Sequence, residues 1–290
     1  MKKQLGDFVC IRCRIPPELE EELAEILATW SVLGVEIGEV TDQGVGIAVF
    51  LAGTETVECG EKLCRELSNR GAEGIESGRL DSRDWLAEYR SRVSPFAVGS
   101  RWWIDPHPDC PTPAPQHRFR LVVEPRMAFG AGSHESTRAI LEILEEMDVG
   151  GQRVLDVGTG SGILALAAEK LGAAFVVGLD IDPTAVWIAS EIVSQQDWPS
   201  RVNLILGPID SVREEQFDVV LCNMITSEFL PLAADLRRRI HPTGVVVFSG
   251  LLRTDIEAVS TALMSDELEV VDTHVLGQWA ALTTKLAVVL

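Results

Sequence analysis

The sequence predicts an α/β fold, a mostly parallel sheet covered by helices on both faces and preceded by a small α+β unit. Three observations predict it. Strand-like and helix-like segments alternate from Arg153 to the end of the chain. An apolar strand there runs straight into a glycine turn that opens a helix. A separate strand-helix-strand-strand-helix-strand series fills residues 8–80. With 290 residues and 46% hydrophobic content, the chain is long enough for one large domain and a smaller one, each with its own core.

Phe8–Arg14 reads as a strand, and Pro17–Thr29 as an amphipathic helix with Leu19, Leu23, Ile26 and Leu27 on one side. Val32–Glu39 and Val45–Leu51 are strands joined by the turn Asp42-Gln43-Gly44. Glu55–Arg70 is a second helix, and Glu73–Leu80 is a fourth, weaker strand. This order is that of a ferredoxin-like unit, placed at 1–80. Residues 81–126 are expected to link it to the rest. Asp81–Arg92 is helical, Trp102–Ile104 a short strand, Asp105–Gln116 an exposed connector broken by Pro106, Pro108, Pro111, Pro113 and Pro115, and Phe119–Glu124 a strand.

The third part, 127–290, carries the alternation. Its expected strands are Arg153–Val157, Phe175–Asp180, Val202–Leu206, Phe217–Asn223, Gly244–Ser249, Leu268–Val275 and Ala280–Val289. Its expected helices are Ile163–Leu171, Pro183–Gln195, Ser227–Ile240 and Thr254–Met264. Ligands of such sheets bind beyond the carboxyl ends of the strands, where strand order reverses.

A net charge of −19 argues against extended contact with nucleic-acid phosphates, which needs clustered Lys and Arg, and favours a basic partner. No run of about eighteen apolar residues marks a membrane span, and the Lys2-Lys3 start lacks a following apolar stretch, so a cytoplasmic chain, free of membranes and monomeric, is expected. The six cysteines are scattered. Cys10 and Cys13 have no second pair to complete a metal site, and their odd spacing in a strand points them to opposite faces, so no metal is expected.

The densest chemical signal is Val154-Leu155-Asp156-Val157-Gly158-Thr159-Gly160-Ser161-Gly162. Alternate glycines let a ligand approach the backbone. The spacing is G-x-G-x-G, not the G-x-G-x-x-G of dinucleotide enzymes, and the strand ends in an acid, Asp156. Asp180 ends the next strand twenty residues after Gly160, where a carboxylate accepts bonds from both ribose hydroxyls of an adenosine ligand. Asp182, before Pro183, reads as a helix cap. Asn223 ends the fourth strand, and its amide is suited to accept a hydrogen bond from an amine while its own NH2 is held. Upstream, in Met127–Thr137, either Ser136 or Thr137 is placed to cap a helix and meet the carboxylate of a ligand. His134 is given no catalytic role.

Phe129-Gly130-Ala131-Gly132-Ser133-His134-Glu135-Ser136-Thr137, Leu155–Leu164, Gly178–Pro183 and Asn223-Met224-Ile225 together resemble the ordered motifs of the PrmA family, methyltransferases of large-subunit ribosomal protein eleven. Asp84-Trp85, Phe248-Ser249-Gly250 and Gln278–Thr283 also resemble that pattern, which departs at Ala131, Ser133, Glu135 and Ser136. The resemblance implies a Rossmann-like class I methyltransferase domain with an antiparallel last strand, and a substrate-recognition role for residues 1–80. It implies S-adenosyl-L-methionine as cofactor, held at Thr137, Gly158, Asp180 and Asn223; Asp156, Gly160 and Ile181 are expected to bind it beside them. It also implies lysine and N-terminal amines of the ribosomal protein as acceptors, with Asn223 positioning the amine and no general base assigned. Alternatives are a lysine methyltransferase of another protein, such as the beta subunit of electron transfer flavoprotein, and a cofactor-binding module without turnover. A nicotinamide oxidoreductase needs the other glycine spacing.

Overall fold

The computed structural model describes residues 8–16, 19, 23, 26–27, 30, 32–41, 44–51, 57–80, 93–110, 112–126, 130–213 and 216–287. The chain divides into two compact units, Met1–Arg92 and Val93–Leu290.

In the first unit, β1 (Phe8–Ile15), β2 (Val32–Thr41), β3 (Gly44–Leu51) and β4 (Glu73–Leu80) form one sheet in the order β2-β3-β1-β4, all neighbours antiparallel. Alternation places Ile11, Cys13 and Ile15 of β1 in the core with Val45, Ile47, Val49 and Leu51 of β3, while Arg12 and Arg14 face out. Helix α1 (Val57–Asn69) covers them with Leu63 and Leu67. Of the first expected helix, Leu19, Leu23, Ile26 and Leu27 are described, and all four are helical and buried. Gly44 has φ +110°, and a Cβ there would lie 2.4 Å from the Ile15 carbonyl oxygen, so this hairpin turn requires glycine. Cys10 and Cys13 are both buried, and burial pushes the Cys13 thiol up to about 11.

The second unit begins with a three-stranded sheet, β5 (Phe96–Val98), β6 (Trp102–Asp105) and β7 (Phe119–Val122). The strands expected at Trp102–Ile104 and Phe119–Glu124 are present as β6 and β7, and β5 adds a third. Trp102, Ile104 and Leu121 are buried in this unit's core, and the Trp102 indole N–H donates to the Leu141 carbonyl at 2.9 Å. The proline run is pinned at its start by Asp105, whose buried carboxylate accepts from the His107 and Thr112 amides and from Arg120 Nε. The expected helix Asp81–Arg92 lies outside the described residues.

Helix α2 (Glu135–Glu146) precedes a seven-stranded sheet. Its parallel part comprises β8 (Arg153–Val157), β9 (Phe175–Asp180), β10 (Asn203–Leu206), β11 (Phe217–Asn223) and β12 (Ile240–Leu252), with β13 (Leu268–Leu276) and β14 (Trp279–Leu286) at one edge. The order is β10-β9-β8-β11-β12-β14-β13, and β14 is antiparallel to both neighbours. Helices α2, α3 (Ile163–Lys170) and α4 (Pro183–Ser194) contribute to one core cluster, and α6 (Ala233–Arg239) and α7 (Ile256–Ser265) to the other. The helix expected over Ser227–Ile240 is instead broken into α5 (Thr226–Phe229), a 3-10 turn at Leu230–Leu232 and α6. Pro231, lacking an N–H, cannot continue the α-helical ladder. No described helix is long and apolar enough to cross a membrane, and no described His, Cys, Asp and Glu form a group able to hold a metal ion.

Candidate active site

Strand order reverses between β8 and β11: the chain builds outward from β8 through β9 to β10, then crosses to β11 on the other side. The carboxyl ends of β8, β9 and β11 therefore frame a crevice, and Asp156, Asp180 and Asn223 stand at or near those ends.

The glycine turn leaves β8 with Gly158, Gly160 and Gly162 all in the left-handed region, at φ +69°, +52° and +82°. Its backbone is tied to the next strand. The amides of Gly158 and Thr159 both donate to the Leu179 carbonyl at 2.9 Å, and the Gly160 amide donates to Asp180 Oδ2 at 3.0 Å. The other oxygen of Asp180 accepts from the Asp182 amide, also at 3.0 Å. Asp180 thus sets the distance between the glycine turn and the end of β9, and each of its oxygens retains a lone pair. Ile181 beside it is 75% exposed, an apolar surface at the crevice mouth. Asp182 caps α4 by accepting from the Thr184 amide at 2.7 Å, with Pro183 at the first helical position.

Asp156 lies beneath the turn, 1% exposed, so its part is to shape the cradle from below. Its Oδ2 accepts from Thr159 Oγ1 at 2.7 Å and from the Ala165 amide at 3.2 Å, while Oδ1 has no hydrogen-bond partner. Burial pushes this carboxyl up to about 7, against the opposing pull of those two hydrogen bonds, with the charge of Asp180 adding to the rise.

Helix α2 begins against the same crevice. Its cap is His134, not Ser136 or Thr137: the backbone of His134 is extended, and its ring Nδ1 accepts from the Ser136 amide at 3.2 Å. Thr137, fully buried, meets Asn223, whose Nδ2 donates to Thr137 Oγ1 at 3.1 Å. Asn223 Oδ1 is buried with no hydrogen-bond partner. Residues Met127, Ala128 and Phe129 of the upstream motif lie outside the described residues. The part that follows packs on the glycine turn, where Ser161 Oγ donates to the Gly130 carbonyl at 2.6 Å.

Three contributors carry no chemistry legible in the sequence. Met224 lies under Gly158, where a Cβ would approach its sulfur to 2.9 Å. Ser249, opposite Asn223 in the β11–β12 register, holds the Met224 amide through its carbonyl at 3.1 Å. Gly250 has φ +92° and lies so near the Met224 carbonyl that a Cβ would come within 2.3 Å. Their signals were the Asn223-Met224-Ile225 and Phe248-Ser249-Gly250 runs.

The family model described as ribosomal protein L11 methyltransferase (PrmA) matches residues 8–287. The chain belongs to the PrmA family. A PrmA-family relative from Pelobacter propionicus, named ribosomal protein L11 methyltransferase, is 34% identical over 301 residues, covering 96% of this chain and 97% of its own. One of the same name from Syntrophotalea carbinolica is 37% identical over 77% of this chain and 76% of its own. Among solved structures, the ribosomal protein L11 methylase of Lactobacillus delbrueckii subsp. bulgaricus superposes with a TM-score of 0.62 at 26% identity, over 67% of this chain and all of that one.

Proposed function

We propose that this chain transfers methyl groups from S-adenosylmethionine to amine nitrogens of ribosomal protein L11, with lysine side chains and the N-terminal amine as acceptors. The observation that carries the reading is the amide of Asn223. Its Nδ2 is committed to Thr137, and its Oδ1 is a buried acceptor without a partner beside the glycine cradle. A buried unpaired acceptor costs about 1–3 kcal/mol, and an amine N–H arriving there relieves the cost.

The residues present fit the cofactor. Asp180 offers two oxygens to ribose hydroxyls, the exposed Ile181 offers an apolar surface to the adenine ring, and left-handed Gly158 and Gly160 let the amino-acid end lie against the backbone. When bound, S-adenosylmethionine supplies an electrophilic methyl group on a sulfonium.

The chain's own work is positioning. Accepting one N–H at Asn223 Oδ1 would hold a neutral amine beside the glycine cradle with its lone pair turned away from the amide. Held by Asp180, Ile181, Gly158 and Gly160, the donor would supply a methyl carbon to that nitrogen; the electron pair of the S–C bond would stay on sulfur and the extra proton on nitrogen would go to solvent. A lysine of pKa about 10.4 costs about 4–5 kcal/mol to deprotonate at neutral pH, and a neighbouring sulfonium lowers that cost by disfavouring a second cation. No side chain is assigned as general base.

Residues 1–80, with the strand order β2-β3-β1-β4, are proposed as a ferredoxin-like unit that recognises the substrate protein. The charge of −19 supports a basic protein as partner and no direct contact with nucleic acid. The family match supports L11 over the beta subunit of electron transfer flavoprotein. A monomer acting in the cytoplasm is proposed with it. The test is incubation with labelled S-adenosylmethionine and purified L11, followed by mass spectrometry of the product. Methyl groups on amine nitrogens are expected. An unlabelled L11 in the presence of bound cofactor would overturn the substrate assignment.

A further inference from the structure

The crevice is built on a closed circuit of contacts that begins at His134. Its ring Nδ1 lies 3.2 Å from the Ser136 amide and 2.8 Å from Ser136 Oγ. A backbone N–H can only donate, so Nδ1 is the acceptor and any ring proton of a neutral imidazole sits on Nε2. The ring meets Trp279, the first residue of β14, edge-on at 4.7 Å and 66°. The Ser136 carbonyl accepts from Ser249 Oγ at 3.1 Å, and Ser249 stands opposite Asn223 in the sheet register. One residue along α2, Thr137 closes the circuit on Asn223.

We propose that His134 is a positioning residue: by capping α2 with its ring braced on Trp279, it fixes Thr137 and so sets the Asn223 amide that meets the acceptor amine. This rests on the reading of Asn223 as the acceptor-side amide. Histidine is less usual as a helix cap than Ser, Thr, Asp or Asn, any of which would satisfy the Ser136 amide with a smaller side chain. What histidine adds is a flat ring that reaches Trp279. That contact ties the first turn of α2 to β14 as well as to the Ser249 hydroxyl on β12. The first turn is thereby held from two strands. His134 itself meets neither acceptor nor cofactor; it acts through Thr137.

The test is a double-mutant cycle in kcat at saturating cofactor and L11, using His134→Ala, Thr137→Ala, Asn223→Ala and the pairs of His134→Ala with each of the others. His134→Ala is expected to lower kcat about tenfold or more with little change in the KM for L11, as a displaced positioning group does. In the Thr137→Ala or Asn223→Ala background it is expected to cost almost nothing further, because the circuit is already cut. His134→Asn, which caps without the ring, is expected to restore thermal stability but not full kcat. Multiplicative losses in the double variants, or full kcat in His134→Asn, would overturn the positioning role. If Asn223→Ala alone keeps wild-type kcat, the Asn223 reading fails instead, and the two failures are distinguishable. A readout independent of turnover is the 15N spectrum of His134 in the cofactor-free protein. It is expected to show an unprotonated, hydrogen-bonded Nδ1, and a protonated Nδ1 in the neutral ring would contradict the cap.

Discussion

Two carboxylates at adjacent strand ends serve the crevice differently because one is buried and the other is not. Asp180 stays at the surface of the crevice and organises backbone amides on both sides of it, whereas Asp156 is sealed under the turn with one oxygen unpaired. The raised pKa of Asp156 has a definite sign for stability. Below its unfolded value near 4 the carboxyl is neutral in both states. Between about 4 and about 7 the unfolded chain loses the proton that the folded chain keeps, so folding becomes progressively less favourable; above about 7 the penalty is complete. Asp156→Asn cannot ionise and escapes this penalty. Thermal unfolding of both proteins across this window is therefore expected to show the variant gaining on the wild type as pH rises. A constant difference would mean that Asp156 titrates normally. The places of both acids at strand ends were legible in the sequence. That Asp156 works from beneath depended on Thr159 and Ala165 folding over it, which spacing does not encode.

At the scale of elements, the strands around the crevice were readable because apolar runs ended in acids, amides or glycines: Phe175–Asp180 and Phe217–Asn223 have in the structure the bounds that periodicity gave them. The helix after β11 was not, because Pro231 divides a segment whose apolar pattern continues through it. Strand β5 escaped notice because three residues are too few to show alternation. The His134 cap escaped because histidine is a weak capping signal beside Ser136 and Thr137. Gly158, just past β8, and Gly250, inside β12, differ in what stands over them. A Cβ on Gly250 would strike the Met224 carbonyl, fixed backbone, while one on Gly158 would strike the flexible end of the Met224 side chain. Both substitutions carry the strain of a left-handed backbone, about 1–2 kcal/mol. Gly250→Ala is therefore expected to lower Tm by more than Gly158→Ala, and Gly158→Ala to weaken cofactor binding out of proportion to its stability loss. Equal melting shifts would show that Met224 cannot yield.

For the whole molecule, the division at Arg92 and Val93 means that β5–β7 belong to the core of the second unit. Trp102, Ile104 and Leu121 are fully buried there, and burial of side chains of this size contributes about 1.5–3 kcal/mol each, a sum comparable with the total stability of a domain. A fragment of residues 93–290 is expected to unfold cooperatively, and one of residues 127–290 to lack a cooperative transition by circular dichroism. Cooperative unfolding of the shorter fragment would show that β5–β7 are dispensable to that core. The charge of −19 acts at the same scale. If it recruits a basic substrate protein, the KM for L11 is expected to rise as salt shortens the Debye length from about 10 Å at 0.1 M. A KM indifferent to salt would leave recognition to apolar contacts.

The crevice between the ends of β8, β9 and β11 is the proposed place where the methyl donor binds. The measurement that tests this most directly is equilibrium binding of S-adenosylmethionine, by calorimetry, to the wild-type chain and to Asp180→Ala. Hydrogen bonds to a charged acceptor contribute about 1.5–3 kcal/mol each, so loss of the carboxylate is expected to weaken binding by more than about tenfold. Undiminished affinity in a folded Asp180→Ala protein would contradict the account and place the cofactor elsewhere.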